Sequence, residues 1–244
     1  MDRLLEATAR AEREHFWFRG LRRFVRPLLE EAARGRTGLV SLDCGCGTGN
    51  NLSLLRRYGR GFGIDIAWSG LTCARDRGER QVARASVVHL PFPRERFDLV
   101  TSFDVLYALD DETEQQVLAE MYRVLRPGGG LVVNVAALPS LKGNHSVLGG
   151  EVRRFRRREL RDHLARAGFA VQRITYTNFT LLPIVAGVRF AQRASGHRES
   201  NLEISLPPRP VNALLTAALA VEAAALRVAD MPLGSSLLAL ARKP

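Results

Sequence analysis

The sequence contains almost no lysine, although it is strongly basic. Lys142 and Lys243 are the only lysines among the 36 lysines and arginines, so arginine carries nearly all of the positive charge. The net charge of +11 and the pI near 10.8 raise the question of a nucleic-acid partner, because a basic surface releases counterions when it neutralises phosphates. The chain is also rich in alanine, and this combination is typical of GC-rich codon usage. We therefore expect no nucleic-acid partner.

Cysteine is scarce as well. The three cysteines, Cys44, Cys46 and Cys73, are too few for a disulfide framework, and two of them lie in or beside a glycine-rich turn. This usage favours a reducing compartment and argues against a zinc site. We predict no metal site.

Long apolar runs are also missing. Charged residues recur through residues 2–26, which argues against a leader with an uninterrupted apolar core and predicts a cytoplasmic protein. The two most apolar stretches, Leu181 to Phe190 and Val211 to Val228, are interrupted by Arg189 and Glu222. Both fall short of the ~20 apolar residues that cross a bilayer. We predict helices there, but no transmembrane segment.

The most informative feature that is present is a glycine-rich turn at residues 45–49, directly after a short apolar strand. A second strand ends 16 residues later in Asp65, whose carboxylate can accept hydrogen bonds from the two hydroxyls of a ribose. Asn50 stands where the dinucleotide fingerprint needs its third glycine. Asp43, just before the turn, would repel a pyrophosphate and attract a sulfonium or ammonium group. Together these features indicate S-adenosylmethionine.

Strand and helix patterns alternate along the chain. This alternation predicts right-handed crossovers and a parallel sheet. The predicted strands are 39–43, 61–66, 81–85, 97–103, 131–136, 169–177 and 236–241. The predicted helices include 51–58, a helix through Arg77, a helix ending at Leu125, a helix from Arg157 to Gly168, and two helices before the first strand. We interpret the arginine run at residues 153–158 as a solvated face at the start of a helix.

Five motifs follow one another between Val40 and Phe169. They are residues 43–49 (DCGCGTG), Asp65, residues 90–92 (LPF), residues 97–100 (FDLV) and residues 123–129 (RVLRPGG). In this order they resemble the successive signatures of class I S-adenosylmethionine-dependent methyltransferases. Three flanking segments are residues 14–18 with Arg22, residues 153–160 and residues 233–238. These flanks are similar to a bacterial subfamily with an EHFWF-type amino terminus.

The resemblance implies an α/β, Rossmann-like class I methyltransferase fold with a mostly parallel seven-stranded sheet and an antiparallel last strand. It also implies S-adenosylmethionine as cofactor, with S-adenosylhomocysteine as product. Within this single domain we predict a helical lid at 1–36, a Rossmann-like core at 37–178, a helical insertion at 179–232 between the last two strands, and a final strand at 233–244.

The resemblance also implies the cofactor site. Asp43 and the glycine turn would face the methionine part of the cofactor, Asp65 the ribose, and the region of Ser86 the adenine. Relatives commonly have an aspartate at the position of Ser86. The predicted cofactor-binding residues are Asp43, Cys44, Gly45, Gly47, Asn50, Asp65, Ile66, Ser86, Val87, Ser102, Phe103 and, from the lid, Trp17.

A catalytic base is needed only if the acceptor must lose a proton, and histidine suits that role near neutral pH. His145 is the first candidate, because it lies in a glycine-containing loop over the expected acceptor pocket. His15 is the second, and His163 is expected at the surface. Tyr107 replaces a histidine common in the family and could hydrogen-bond an acceptor or simply pack. The subfamily pattern also has other residues where this chain has Ser146 and Glu151.

These observations predict methyl transfer to a small-molecule acceptor, with natural products and lipid-like molecules among the candidates. One alternative places the acceptor at a membrane, as a lipid-linked glycan or a quinone resting on the helical insertion. Another is a relative that binds the cofactor without transferring a methyl group. An RNA methyltransferase is disfavoured, since no RNA-binding module is present. Peripheral membrane contact and a homo-oligomer formed through the insertion stay open.

Overall fold

The computed structural model describes residues 9, 11–141, 150–187 and 206–244. Its helices are α1 (Phe16–Ala33), α2 (Leu52–Leu55), α3 (Trp68–Asp76), α4 (Asp111–Val124), α5 (Arg157–Arg166) and α6 (Arg209–Ala225). Its strands are β1 (Leu39–Cys44), β2 (Gly59–Asp65), β3 (Val82–Arg84), β4 (Phe97–Phe103), β5 (Leu125–Ala136), β6 (Ala170–Thr177) and β7 (Ser236–Arg242).

The described strands form one sheet of seven, in the order β3-β2-β1-β4-β5-β7-β6. Strands β1 to β5 pair in parallel, whereas β7 is antiparallel to both β5 and β6. The predicted Rossmann-like class I architecture is confirmed. The order of the strands reverses between β1 and β4, and in open α/β sheets ligands bind beyond the carboxyl ends of the strands at that point.

Each face of the sheet carries an apolar layer. On one face the buried side of α1, which includes Phe24, Val25 and Leu28, packs with residues of α2 and α6. On the other face α4 and α5 contribute residues such as Met121 and Leu164. All six residues of β1 are buried, as expected for a central parallel strand covered by helices on both sides. This packing makes α1 a core helix, and a lid function for residues 1–36 stays a prediction.

Two predicted boundaries are wrong. The helix predicted at 51–58 is limited to Leu52–Leu55, because Tyr58 must already accept a hydrogen bond from the Leu39 amide (2.8 Å) where β1 and β2 begin. Strand β5 begins at Leu125 and not at residue 131, since Leu125 pairs with Phe97 and the Gly128 amide donates to the Lys243 carbonyl at 2.8 Å.

The predicted surface position of His163 is also wrong. Its side chain is 7% exposed, and Nδ1 lies 2.8 Å from Oε2 of Glu114, which is fully buried. Arg153 pairs with the same carboxylate and stacks on Phe155. A buried carboxylate needs such partners, because its desolvation is costly. The interpretation of residues 153–158 as a solvated face therefore fails for Arg153 and Arg154, which precede α5 and are only 15% and 10% exposed.

The insertion between β6 and β7 rests on α1. Leu219 of α6 packs against Gly20, and Oδ1 of Asn212 accepts a hydrogen bond from the Phe16 amide at 2.9 Å. Glu222, the charged residue within the apolar helix α6, holds the chain that follows β6. Its carboxylate accepts hydrogen bonds from the amides of Phe179 (2.9 Å) and Thr180 (3.0 Å). A short helical segment at 182–187 is described, whereas residues 188–205 lie outside the described part. None of the helices described is long and apolar enough to span a membrane.

Candidate active site

The glycine turn lies at the carboxyl end of β1, beside the point where the strand order reverses. The amides of Gly45 and Cys46 both donate to the carbonyl of Ile64, at 2.8 and 2.9 Å. Gly45 and Gly47 have φ values of +83° and +51°, a region that L-residues with side chains rarely adopt. A Cβ on Gly45 would also collide with a methyl group of Val105. Glycine at these positions therefore allows the sharp turn, and at Gly45 it also allows close packing against Val105.

Asp65, at the end of β2, is tied to this turn. Its Oδ2 accepts a hydrogen bond from the Gly47 amide at 2.7 Å, and its Oδ1 accepts one from the Ala67 amide at 2.8 Å. Each carboxylate oxygen can accept more than one hydrogen bond, so capacity for two hydroxyl donors is left. Asp65, the residue predicted to bind the ribose, is thus hydrogen-bonded to the turn that is predicted to bind the methionine part of the cofactor.

Asp43 is buried directly below the turn. Its Oδ1 accepts a hydrogen bond from Oγ1 of Thr101 at 2.7 Å. Burial raises the pKa of this carboxyl to about 7, against the lowering effect of the Thr101 hydrogen bond, and nearby Asp65 raises it further. Near neutral pH, Asp43 is therefore balanced between the neutral and the anionic form.

The rim of the crevice exposes apolar surface. Ile66 is 56% exposed and directly follows β2, and Trp68, the first residue of α3, is 53% exposed. Ser86 is exposed and Val87 is half-buried after β3, so the predicted adenine side is open to solvent. Cys44, Ser102 and Phe103 are buried instead; Oγ of Ser102 donates to the Cys44 carbonyl at 3.2 Å. Contact of these three residues with the cofactor stays a prediction.

The segment before α1 also reaches the turn. Glu12 is 4% exposed, and its carboxylate accepts a hydrogen bond from Oγ1 of Thr48 at 2.8 and 2.6 Å. Arg77, at the end of α3, pairs with the same carboxylate and donates to the Ala9 carbonyl. Glu12 therefore joins three parts of the chain that are distant in sequence. Asn50, the last predicted residue of the turn, accepts a hydrogen bond from Arg22.

His15 and Trp17 lie at the amino end of α1. The Nδ1 atom of His15 accepts a hydrogen bond from the Trp17 amide at 3.2 Å, so the ring caps the helix. Burial lowers the pKa of His15. Trp17 borders a small cavity of about 10 Å³ at the ends of β5 and β6, which is about the least space that can hold one water molecule. This places Trp17 on the β5 side of the crevice, and its contact with the cofactor stays a prediction.

A polar cluster occupies the ends of β4 and β5, where the acceptor is expected. Asp104 has a φ of +61°, and its amide donates to the Asn134 carbonyl at 3.0 Å. The side-chain amide of Asn134 donates to Oδ1 of Asp104 at 2.8 Å. Burial raises the pKa of Asp104 to about 6, with the hydrogen bond from Asn134 opposing the shift and Glu151 adding to it.

Tyr107 and an ion pair complete this cluster. The Arg154 guanidinium pairs with Glu151 (Nε to Oε1, 2.5 Å) and donates to the Ala137 carbonyl at 3.0 Å. The carbonyl of Tyr107 accepts hydrogen bonds from the amides of residues 152 and 153. Burial, together with the nearby carboxylates of Asp104 and Glu151, raises the pKa of the Tyr107 phenol. The Tyr107 phenol therefore keeps its proton at neutral pH.

The position of His145 lies outside the described residues, so its prediction as a base stays open. Asn134 and Glu12 were not predicted. A signal for Asn134 was available, because it is the one polar residue in the apolar run of residues 131–137. Glu12 gives no such signal, since its partner Thr48 is 36 residues away.

Comparison with known proteins agrees with this geometry. A family model described as a methyltransferase domain matches residues 42–133. A probable S-adenosylmethionine-dependent methyltransferase of Mycolicibacterium smegmatis is 27% identical over 224 residues, covering 90% of this chain and 82% of the relative. A ubiquinone/menaquinone biosynthesis C-methyltransferase of Laribacter hongkongensis is 38% identical over 127 residues, covering 47% of this chain and 50% of the relative. The chain spans about half the length of several curated relatives that it matches.

The solved structures add support for the fold. The geranyl diphosphate C-methyltransferase of Streptomyces coelicolor, solved with Mg²⁺, geranyl diphosphate and S-adenosylhomocysteine, superposes with a TM-score of 0.57. The match covers 90% of this chain and 79% of that one, and at 15% identity it concerns the fold alone. The sheet order, the glycine turn and the sequence relatives together support a class I S-adenosylmethionine-dependent methyltransferase.

Proposed function

We propose that this protein transfers a methyl group from S-adenosylmethionine to a small-molecule acceptor that binds beside Asp104. The observation that carries the proposal is a carboxylate with a raised pKa at the end of β4, next to the cofactor turn and held by Asn134. Carboxylates with shifted pKa values in a crevice are candidates for proton transfer.

The residues around the turn fit the cofactor of this family. The space above Gly45 and Gly47 would take the methionine part, Asp65 would hold the ribose, and the exposed face of Ile66 would contact the adenine. When bound, S-adenosylmethionine supplies a methyl carbon that its sulfonium charge has already activated. The task of the protein is then to align donor and acceptor and to exclude water.

Asp43 gives this site a pH dependence. Because the pKa of Asp43 is about 7, this carboxyl is mostly neutral at pH 6 and mostly ionised at pH 8. Only the ionised form attracts the cationic cofactor, so affinity for S-adenosylmethionine is expected to be about tenfold higher at pH 8 than at pH 6. Calorimetric titration at both pH values measures this difference. The Asp43→Asn variant should bind with the same affinity at both; an unchanged pH dependence in that variant would assign the effect to another group.

Asp104 is suited to accept a proton from the methyl acceptor. With a pKa of about 6 it is mostly ionised at neutral pH. The residue as a whole keeps part of its surface exposed at the end of β4, where the proposed acceptor would bind. The Asn134 amide fixes the orientation of one carboxylate oxygen and leaves the other oxygen for the acceptor. Tyr107, which stays protonated, can donate a hydrogen bond to the same acceptor.

An acceptor with an apolar tail is favoured by a second observation. The insertion exposes large apolar side chains, with Ile184 at 57%, Leu214 at 70% and Val221 at 70% exposure. One relative is named as a quinone-biosynthesis methyltransferase, which supports a quinone-like acceptor as the second candidate. Peripheral contact with a membrane and pairing of two copies through this insertion are proposals that rest on the same side chains.

The cytoplasm is the proposed location. It is supported by the free thiols of Cys44, Cys46 and Cys73, which are typical of a reducing compartment.

Release of S-adenosylhomocysteine in the presence of a panel of acceptors tests the proposal. The panel contains phenols, hydroquinones and carboxylic acids, each with and without a long apolar tail. With an active hydroxyl acceptor, Asp104→Asn is expected to lower kcat by about 10²–10⁴-fold, because the base is lost. The wild-type kcat should rise with pH through about 6, following the ionisation of Asp104.

Two further variants make the result specific. Glu112→Gln removes an exposed carboxylate on α4 and should leave kcat unchanged. If His145→Asn abolishes turnover while Asp104→Asn does not, the base is His145 and the role of Asp104 is wrong. Failure of every acceptor, with intact cofactor binding, would favour the relative that binds the cofactor without methyl transfer.

A further inference from the structure

A second concave site lies on the outer side of α1, away from the polar cluster at Asp104. It is a cleft of about 360 Å³ between α1 and the residues that follow the glycine turn. We call it the arginine cleft, because five arginines line it together with Glu12 and Asn50: Arg13, Arg19, Arg22, Arg23 and Arg26.

Four of these arginines follow helical spacing. The pairs 19/22, 19/23, 22/26 and 23/26 are each three or four residues apart, which places these arginines on one face of α1. The opposite face of α1 is buried on the sheet. Helix α1 therefore presents a row of guanidinium groups to the cleft from a rigid part of the core.

These guanidinium groups lack acidic partners in the described part of the chain. No carboxylate of those residues lies within 4.0 Å of Arg13, Arg19, Arg23 or Arg26, whereas Arg126, Arg154 and Arg173 elsewhere each pair with one. The acid in the lining, Glu12, is already engaged by Thr48 and Arg77. Two nitrogens, Nη1 of Arg23 and Nε of Arg26, are buried without a hydrogen-bond partner among the described residues.

Crowding of like charges adds to this observation. Burial and the nearby charges of Arg57 and Arg26 lower the pKa of Arg22. Arg22 is nevertheless held in place, since it donates to Asn50 and to Oγ of Ser53 at 2.8 Å. A bound anion would relieve the repulsion in the cleft and would supply acceptors for the unpaired donors.

We propose that the arginine cleft binds a ligand that carries two or more phosphate groups. The planar guanidinium forms paired hydrogen bonds with phosphate oxygens, and several such groups on one face suit a polyanion better than a single carboxylate. The ligand phosphate could belong to a soluble molecule or to a lipid headgroup. This inference is independent of methyl transfer, because the cleft shares only Asn50 with the predicted cofactor site.

Calorimetric titration of the full chain with inorganic pyrophosphate tests the site. The cleft variant R19Q/R23Q/R26Q is expected to bind pyrophosphate at least tenfold more weakly than the wild type. The control variant R158Q/R161Q/R166Q removes the same charge from exposed arginines of α5 and should change the affinity less than twofold. Both variants should keep the wild-type affinity for S-adenosylhomocysteine and the wild-type thermal midpoint.

Three results would overturn the proposal: no pyrophosphate binding by the wild type, equal losses in both triple variants, or a parallel loss of S-adenosylhomocysteine binding in the cleft variant. The last would mean that these arginines serve the cofactor. If the cleft variant is unstable, the single change Arg19→Gln at an exposed position replaces it, with an expected loss of at least threefold.

Vesicle binding distinguishes a phosphate on a lipid headgroup from a phosphate on a soluble ligand. A lipid headgroup is supported if the wild type co-sediments with phosphatidic acid vesicles but not with phosphatidylcholine vesicles. The cleft variant, and not the control variant, should then lose this vesicle binding. Pyrophosphate binding without such vesicle binding would support a soluble ligand. Vesicle binding that both triple variants lose equally would contradict a role of the cleft at membranes.

Discussion

Replacement of Gly45 by valine is expected to abolish binding of S-adenosylhomocysteine, with an affinity loss of more than about 100-fold. Gly45 has a φ of +83°, and a Cβ there would occupy the space of a Val105 methyl group. The strain of a β-branched residue at positive φ costs about 1–3 kcal/mol, and the collision displaces the turn in addition. Calorimetry with S-adenosylhomocysteine measures the affinity.

A substitution at a second glycine with positive φ shows whether backbone strain alone, without damage to the glycine turn, lowers the cofactor affinity. Gly35 also has a positive φ, +71°, but a Cβ there meets no atom within 4 Å. Gly35→Val should therefore destabilise the fold while the cofactor affinity stays within twofold of the wild type. Retained binding in Gly45→Val, or an equal loss in Gly35→Val, would mean that the turn is not where the cofactor binds.

Removal of the Asp65 carboxylate is expected to weaken cofactor binding by about 1.5–3 kcal/mol, or roughly 10–150-fold. In the structure this carboxylate also accepts hydrogen bonds from the amides of Gly47 and Ala67. Asp65→Ala thus removes the predicted ribose contacts and, at the same time, a support of the glycine turn. The same titration measures the loss.

Asp65→Asn and Asp76→Ala refine this result. Asparagine keeps one oxygen acceptor, so we expect the cofactor affinity of Asp65→Asn to lie between those of the wild type and Asp65→Ala. Asp76 is exposed at the end of α3, and its removal should have no effect on affinity. An unchanged dissociation constant in Asp65→Ala would show that other residues hold the ribose.

The parts of the fold that the sequence predicts are those with local signals. Buried apolar runs separated by turn residues predicted the strands, and their alternation with helices predicted the parallel sheet. The glycines at 45 and 47 marked the crevice, because positive φ values leave a direct trace in residue type. The reversed direction of β7 came from the family resemblance and not from any local pattern.

Contacts between segments that are distant in sequence could not be predicted from local sequence patterns. The short length of α2 depends on the pairing of Tyr58 with Leu39. The burial of His163 depends on Glu114 and Arg153, which come from other elements. Likewise, the proposed role of Asp104 depends on its hydrogen bond with Asn134, which comes from another strand. Spacing along a sequence describes periodic elements, whereas these contacts depend on how the elements pack.

A crystal structure of the full chain with S-adenosylhomocysteine tests the central claim most directly. The account predicts both ribose hydroxyls within hydrogen-bonding distance of the Asp65 carboxylate, and the amino-acid part of the ligand above Gly45 and Gly47. Ligand bound elsewhere, or a crevice that stays empty at saturating concentration, would contradict it.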